Sequence, residues 1–177
     1  MPDISPDETE KLTCLAREII DLNFMIITIC GSIDFTYEIK KIADELAAAG
    51  HKVNIPFTSQ KILNGQLSLA DFQKEKEKNR DGAFRKIKED VIKRYYKIIN
   101  ESDAILVVNI TKREIKNYIG GNVLLEMGFA HVLDKKIYLL NDVPELAYTD
   151  EISAMKPVVI SGDLSSINNK YNIYARH

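Results

Sequence analysis

Apolar positions along this chain recur with two different periods, and the places where the period changes mark its elements. Over residues 7–22, Leu12, Leu15, Ala16, Ile19 and Ile20 return at helical spacing opposite Glu8, Glu10 and Lys11, which predicts an N-terminal amphipathic helix within 1–24. Residues 25–30 are continuously apolar and rich in β-branched types until Gly31-Ser32, the pattern of a central strand buried on both faces. A stripe of Ile39, Ile42, Ala43 and Leu46 then predicts a helix over 35–49, stopped by Gly50, which supplies a left-handed residue. Residues 52–55 read as a short second strand closed by Pro56, and 57–83 as a polar insertion. Helical spacing returns in Ile87, Val91, Ile92, Tyr95 and Ile98. A third strand is expected at 103–109, an apolar helix at 123–133 and a fourth strand at 136–140. A short helix near 145–155, a strand at 157–160 and a polar tail over 161–177 complete the pattern.

Strands that alternate with helical connections imply parallel pairing, because parallel neighbours need long crossovers. The expected fold is a single doubly wound α/β domain over 1–177, flavodoxin-like or Rossmann-like, with five parallel strands ordered 2-1-3-4-5. Ligands of such sheets sit beyond the carboxyl ends of the strands where the order reverses, between the first and third. That rule selects the loop Gly31, Ser32, Ile33, Asp34 and Phe35, and the segment 109–122.

Composition narrows the partners. With 177 residues, 45% hydrophobic and 28% charged, the chain has enough apolar material for a core, which excludes a disordered chain or a small disulfide scaffold. A net charge of −2 gives no global basic field for a nucleic-acid polymer or an anionic membrane. Residues 74–97 carry ten basic and five acidic side chains, read first as a solvated helix face and second as a phosphate-attracting lid. The longest apolar runs fall short of the roughly 18–20 residues a spanning helix needs, and the acidic N-terminus is unlike a signal peptide, so a cytoplasmic protein is expected. Cys14 and Cys30 lack metal or redox spacing, and His51, His131 and His177 are scattered. No metal or redox cofactor is therefore expected.

Two groups of residues carry the candidate chemistry. In the first loop, backbone N–H groups and the Ser32 hydroxyl are suited to a phosphate or sugar oxygen, although Gly-Ser after a strand is equally a tight turn. Glu126 is more informative, because Val123, Leu125, Met127, Phe129, Val132 and Leu133 leave its helix almost no solvated face. A carboxylate shielded in this way must be paired, hydrogen-bonded or functional. With Gly120 and Gly121 preceding it and Asn122 as the expected N-cap, Glu126 falls near the positive end of the helix dipole, which favours its ionised form. Such a carboxylate suits nucleophilic attack on a sugar carbon, with Asp34 as the second carboxyl group. Asn109, ending the third strand, is placed to hydrogen-bond a ligand, while His51 and His131 receive no role.

These residues also resemble a known group. A first strand ending Cys30-Gly31-Ser32, the Asp103-Ala-Ile-Leu-Val-Val strand, and Gly-Gly-Asn-Val-Leu-Leu-Glu126-Met-Gly-Phe-Ala followed by Lys-Lys-Ile-Tyr-Leu-Leu are similar to the nucleoside 2-deoxyribosyltransferase superfamily, including deoxynucleoside 5′-monophosphate N-glycosidases. The resemblance spans 25–160 and implies that Glu126 is the nucleophile and that Gly31 and Ser32 contact the sugar or its phosphate. It implies cleavage or transfer of the N-glycosidic bond of a nucleoside or nucleoside 5′-monophosphate. Where the family often has a first-strand Tyr and an Asp ahead of the third strand, this chain has Thr28 and Tyr95. The alternative is a noncatalytic nucleotide-binding or interaction module of the same fold. The apolar surface of the Glu126 helix and the N-terminal helix leads to the expectation of a homo-oligomer, a dimer first.

Overall fold

A computed structural model describes residues 24–78 and 82–167, together with Lys11. The helix expected over 7–22, including Cys14, and the tail from 168 onward lie outside the described residues, Lys11 excepted. The order is β1 (Ile26–Gly31), a 3-10 turn (Ile33–Phe35), α1 (Thr36–Ala48), β2 (Lys52–Asn54), α2 (Phe57–Leu63), α3 (Leu69–Lys78) and α4 (Gly82–Asn100). Then come β3 (Ala104–Val108), α5 (Gly121–Val132), β4 (Lys136–Leu139), α6 (Thr149–Ala154), β5 (Val158–Val159) and a 3-10 turn (Leu164–Ser166).

All four strand pairings are parallel, and the order is β2-β1-β3-β4-β5. The five-stranded α/β sheet expected from the period changes is what the chain forms. Every residue of β3 is buried, and successive side chains enter opposite cores, as the two-residue period of a strand requires. Ala104, Leu106 and Val108 join Ile27, Ile29, Ile39 and Leu46 beneath α1. Ile105 and Val107 join Cys30, Tyr95, Ile99 and Met127 beneath α4 and α5. Gly50 has φ +94° just beyond α1, where its missing Cβ makes the left-handed conformation inexpensive.

The polar stretch over 57–83 holds two helices, α2 and α3, and its first helix is tied to the sheet through Ser59, whose buried hydroxyl lies 2.9 Å from Thr36 Oγ1 at the start of α1. The inserted segment is thereby anchored beside the β1 loop. The cap of α5 also differs from expectation. Gly120, with extended backbone, is the N-cap, and Asn122 falls inside the first turn. Without a Cβ the chain turns close to Tyr118, whose hydroxyl would stand 3.2 Å from a side-chain carbon added at Gly120.

Candidate functional site

Gly31 pairs with Val108 at the carboxyl ends of β1 and β3, where the strand order reverses. One cluster of polar groups is built at this end of the sheet, and a second lies between α4 and α5.

The first is built on the loop after β1. Ser32 caps the 3-10 turn and donates to Asp34 Oδ2 at 3.3 Å, and two more distant residues also meet that carboxylate. Lys112 Nζ stands 2.5 Å from Asp34 Oδ2 and donates to Ser32 Oγ at 2.8 Å, while Gln73 of α3 donates to Asp34 Oδ1 at 2.9 Å. The ammonium also sits 5.2 Å from the centre of the Tyr118 ring. Burial opposes ionisation of Asp34, but the Lys112 and Gln73 hydrogen bonds outweigh it and hold the carboxyl below its ordinary range. Asp34 is therefore a carboxylate at neutral pH and a poor proton donor. Ile33 is half-buried in the same turn, whereas the Phe35 ring belongs to the core beneath α1.

Lys112 is presented by a strained turn. Its backbone pairs with Ile115 through hydrogen bonds in both directions, and the two residues between, Arg113 and Glu114, have φ of 47° and 67°. Positive φ at both central positions is the geometry of a type I′ reversal, which Asn-Gly adopts readily and side chains such as these do not.

The second cluster lies between α4 and α5. Glu126, on the second turn of α5, lines a shallow cleft with Asn122, Tyr95 and Lys88, flanked by apolar Val91, Ile92, Leu125 and Phe129. The cleft has room for little more than a water molecule. Cys30, at the penultimate position of β1, enters the same core as Val123 and Met127 of α5. Burial pushes the Glu126 carboxyl up to about 8, and the thiol offsets part of that rise. The expectation that the helix dipole would leave Glu126 ionised does not describe this state: at neutral pH desolvation dominates and the carboxyl holds its proton. Burial, and then the proximity of Glu126, raise the Cys30 thiol well above its usual range, and the same two causes raise the Tyr95 hydroxyl.

Asn122 and Glu126, four residues apart on α5, thus share one cleft, while Gly31, Ser32, Ile33 and Asp34 are not among its described lining residues. Gly120 and Gly121 form the start of α5. Asn109 is fully buried, and its amide is committed to the next loop: Nδ2 donates to the carbonyls of Asn141 and Asp142, and Oδ1 accepts from the Asn141 N–H. Thr28, in the position of the family's first-strand Tyr, is buried and bonds Ser102 and Asn54 through its hydroxyl. Sequence reasoning gave no role to Lys112 or Gln73 and treated Cys30 as an inert buried thiol. For Cys30 a signal was present, because it precedes the site glycine by one residue on a strand whose alternate faces enter different cores.

Among the described residues no helix is long and apolar enough to cross a membrane, and no three His, Cys, Asp or Glu side chains are grouped to hold a metal ion. Fold and site define a doubly wound α/β protein with a half-buried glutamate on the helix that follows β3. Compared with known proteins, the chain matches no family model, no curated protein and no solved structure.

Proposed function

We propose that this protein cleaves or transfers the N-glycosidic bond of a nucleoside or nucleoside 5′-monophosphate, with Glu126 as nucleophile. The observation that carries the reading is a desolvated carboxyl that lines a cleft while its helix begins at the ligand end of the sheet. In its ionised form Glu126 attacks the anomeric carbon as the C–N bond breaks. The bond pair leaves with the base, which takes up a proton, and a glycosyl ester remains on Glu126. Water or a second base then attacks the same carbon, and the ester electrons return to the carboxylate. The Ser32 hydroxyl holds a sugar or phosphate oxygen, the Asp34 carboxylate, braced by Lys112, accepts from a sugar hydroxyl, and Asn122 shapes the wall beside Glu126. No metal or redox step is required. The protein acts in the cytoplasm as a homo-oligomer, with exposed Leu125 and Val132 of α5 in the contact.

The test is free-base release from a panel of nucleosides and 5′-monophosphates, with and without an acceptor base, comparing wild type and Glu126→Gln. Release that disappears in the variant supports the reading, and acceptor dependence separates transferase from hydrolase. With Glu126 titrating near 8 in the free protein, kcat/KM rises as pH increases through that value. A noncatalytic nucleotide-binding or interaction module is favoured by one observation, the small size of the cleft. It predicts binding in a thermal-shift assay with no base released from any member of the panel.

A further inference from the structure

The loop after β1 has already committed donors that an anion would need. Ser32 Oγ directs its one proton to Asp34 Oδ2, and it accepts from Lys112 Nζ at 2.8 Å and from the Asp34 N–H at 3.4 Å. The next two backbone N–H groups are bonded inside the turn as well: Phe35 donates to the Ser32 carbonyl at 2.9 Å and Thr36 to the Ile33 carbonyl. The cradle expected of a Gly-Ser turn is therefore closed on itself at Asp34, Phe35 and Thr36. What remains at this loop is a half-buried carboxylate. Its Oδ1 accepts from the neutral amide of Gln73 at 2.9 Å and has a lone pair for a second donor. Lys112 is the cation that meets it, and that charge is matched by Asp34 at 2.5 Å.

We propose that Asp34, paired with Lys112, is a specificity determinant that admits a ligand offering hydroxyl groups to the first loop and excludes its 5′-phosphorylated form. The inference rests on the N-glycosidic reading for the identity of the ligand, and it decides between the nucleoside and the 5′-monophosphate that the reading leaves open. A sugar hydroxyl both donates and accepts, so it can give its proton to Asp34 and take the third Lys112 N–H while the ion pair stays intact. A phosphate dianion only accepts. To take the Ser32 proton it must turn that hydroxyl away from Asp34, and to take Lys112 it must compete with the carboxylate for the same ammonium. Either way two like charges stand side by side in a partly desolvated turn, where solvent screens them poorly.

The experiment is calorimetric titration of the full chain with the common 2′-deoxynucleosides and their 5′-monophosphates, in a Glu126→Gln background so that no base is released during the measurement. With the first loop unsubstituted, the nucleoside of a bound pair is expected to bind about tenfold more tightly than its monophosphate, or better. Asp34→Asn keeps the shape, removes the carboxylate and frees Lys112, so the ratio is expected to fall by about tenfold or to reverse. Lys112→Gln leaves the carboxylate without its cation and is expected to widen the ratio. Preference of the unsubstituted loop for monophosphates overturns the proposal, and so does a ratio that Asp34→Asn leaves unchanged. If Asp34→Asn does not fold, Lys112→Gln decides, and an unchanged ratio there overturns it. Binding of neither member of any pair overturns this inference together with the glycosidic reading. A nucleoside preference that depends on Asp34, with no base released by wild type, removes the glycosidic chemistry and keeps this inference; base release that favours monophosphates does the reverse.

Discussion

Because Glu126 leaves water on folding, the folded chain binds its proton more tightly than the unfolded chain does. Its carboxyl stands near 8 folded against 4.5 unperturbed. The folded pKa is raised, so the associated stability is fully present below about 4.5 and is lost as pH rises through about 8. Glu126→Gln removes that loss: relative to wild type it gains about 2–4 kcal/mol between pH 5 and pH 8.5, an order set by 1.36 kcal/mol per pKa unit. Urea unfolding of both proteins at the two pH values checks this, and parallel curves refute it. Asp34 has the opposite sign. Its pKa is depressed, so its contribution is present above the ordinary carboxylate value and disappears as pH falls through the folded value. The pair is partly solvated, with Asp34 31% and Lys112 18% exposed, so Asp34→Asn costs no more than about 1 kcal/mol at pH 7. Lys112 and Gln73 escaped sequence reading because the first lies 78 residues from Asp34 and the second 39. No local pattern links residues at such separations.

At the scale of elements, the loops after β3 and β4 are joined by one side chain. Asn109→Ala leaves the Asn141 N–H and two carbonyls without the partners they have now, in a position with no solvent access. A loss of about 2–3 kcal/mol is expected, seen as a lower urea midpoint with unchanged slope. The reversal at Arg113-Glu114 predicts a gain instead. Replacing the pair by Asn-Gly relieves two left-handed side-chain-bearing residues and stabilises the fold by about 1–2 kcal/mol. A lower midpoint in that variant would show that the native side chains make contacts outweighing the strain. The 57–83 stretch was legible as polar and inserted, but its helices were not. α3 carries a markedly polar sequence, and its link to the site through Gln73 depends on where the sheet places Asp34.

For the whole molecule, four of the nine exposed large apolar residues among the described ones, Val91, Tyr96, Leu125 and Val132, lie on α4 and α5, and the others on α1, β5 and the loops. Val132 is 79% exposed, Leu125 and Tyr96 are partly so, and the Tyr96 ring packs edge-on against Phe129. A dimer through this face would cover them, and sedimentation velocity is expected to give a dimer for wild type and a monomer for Val132→Asp. A monomeric wild type removes the oligomer from the proposal without touching the chemistry at Glu126.

Hydrophobic period alone determined the five strands, the helices that alternate with them after β1, their parallel order and the turn at which the order reverses. Burial of a strand on both faces or of a helix on one stripe is a local requirement, written into neighbouring residues. It also singled out Glu126, since an acid on an otherwise apolar helix stands out in the chain itself. Tertiary structure alone decided which groups that acid meets and whether it keeps its proton. The dipole of its own helix is a local effect that sequence reveals, whereas desolvation beside α4 comes from elements brought together only when the sheet forms.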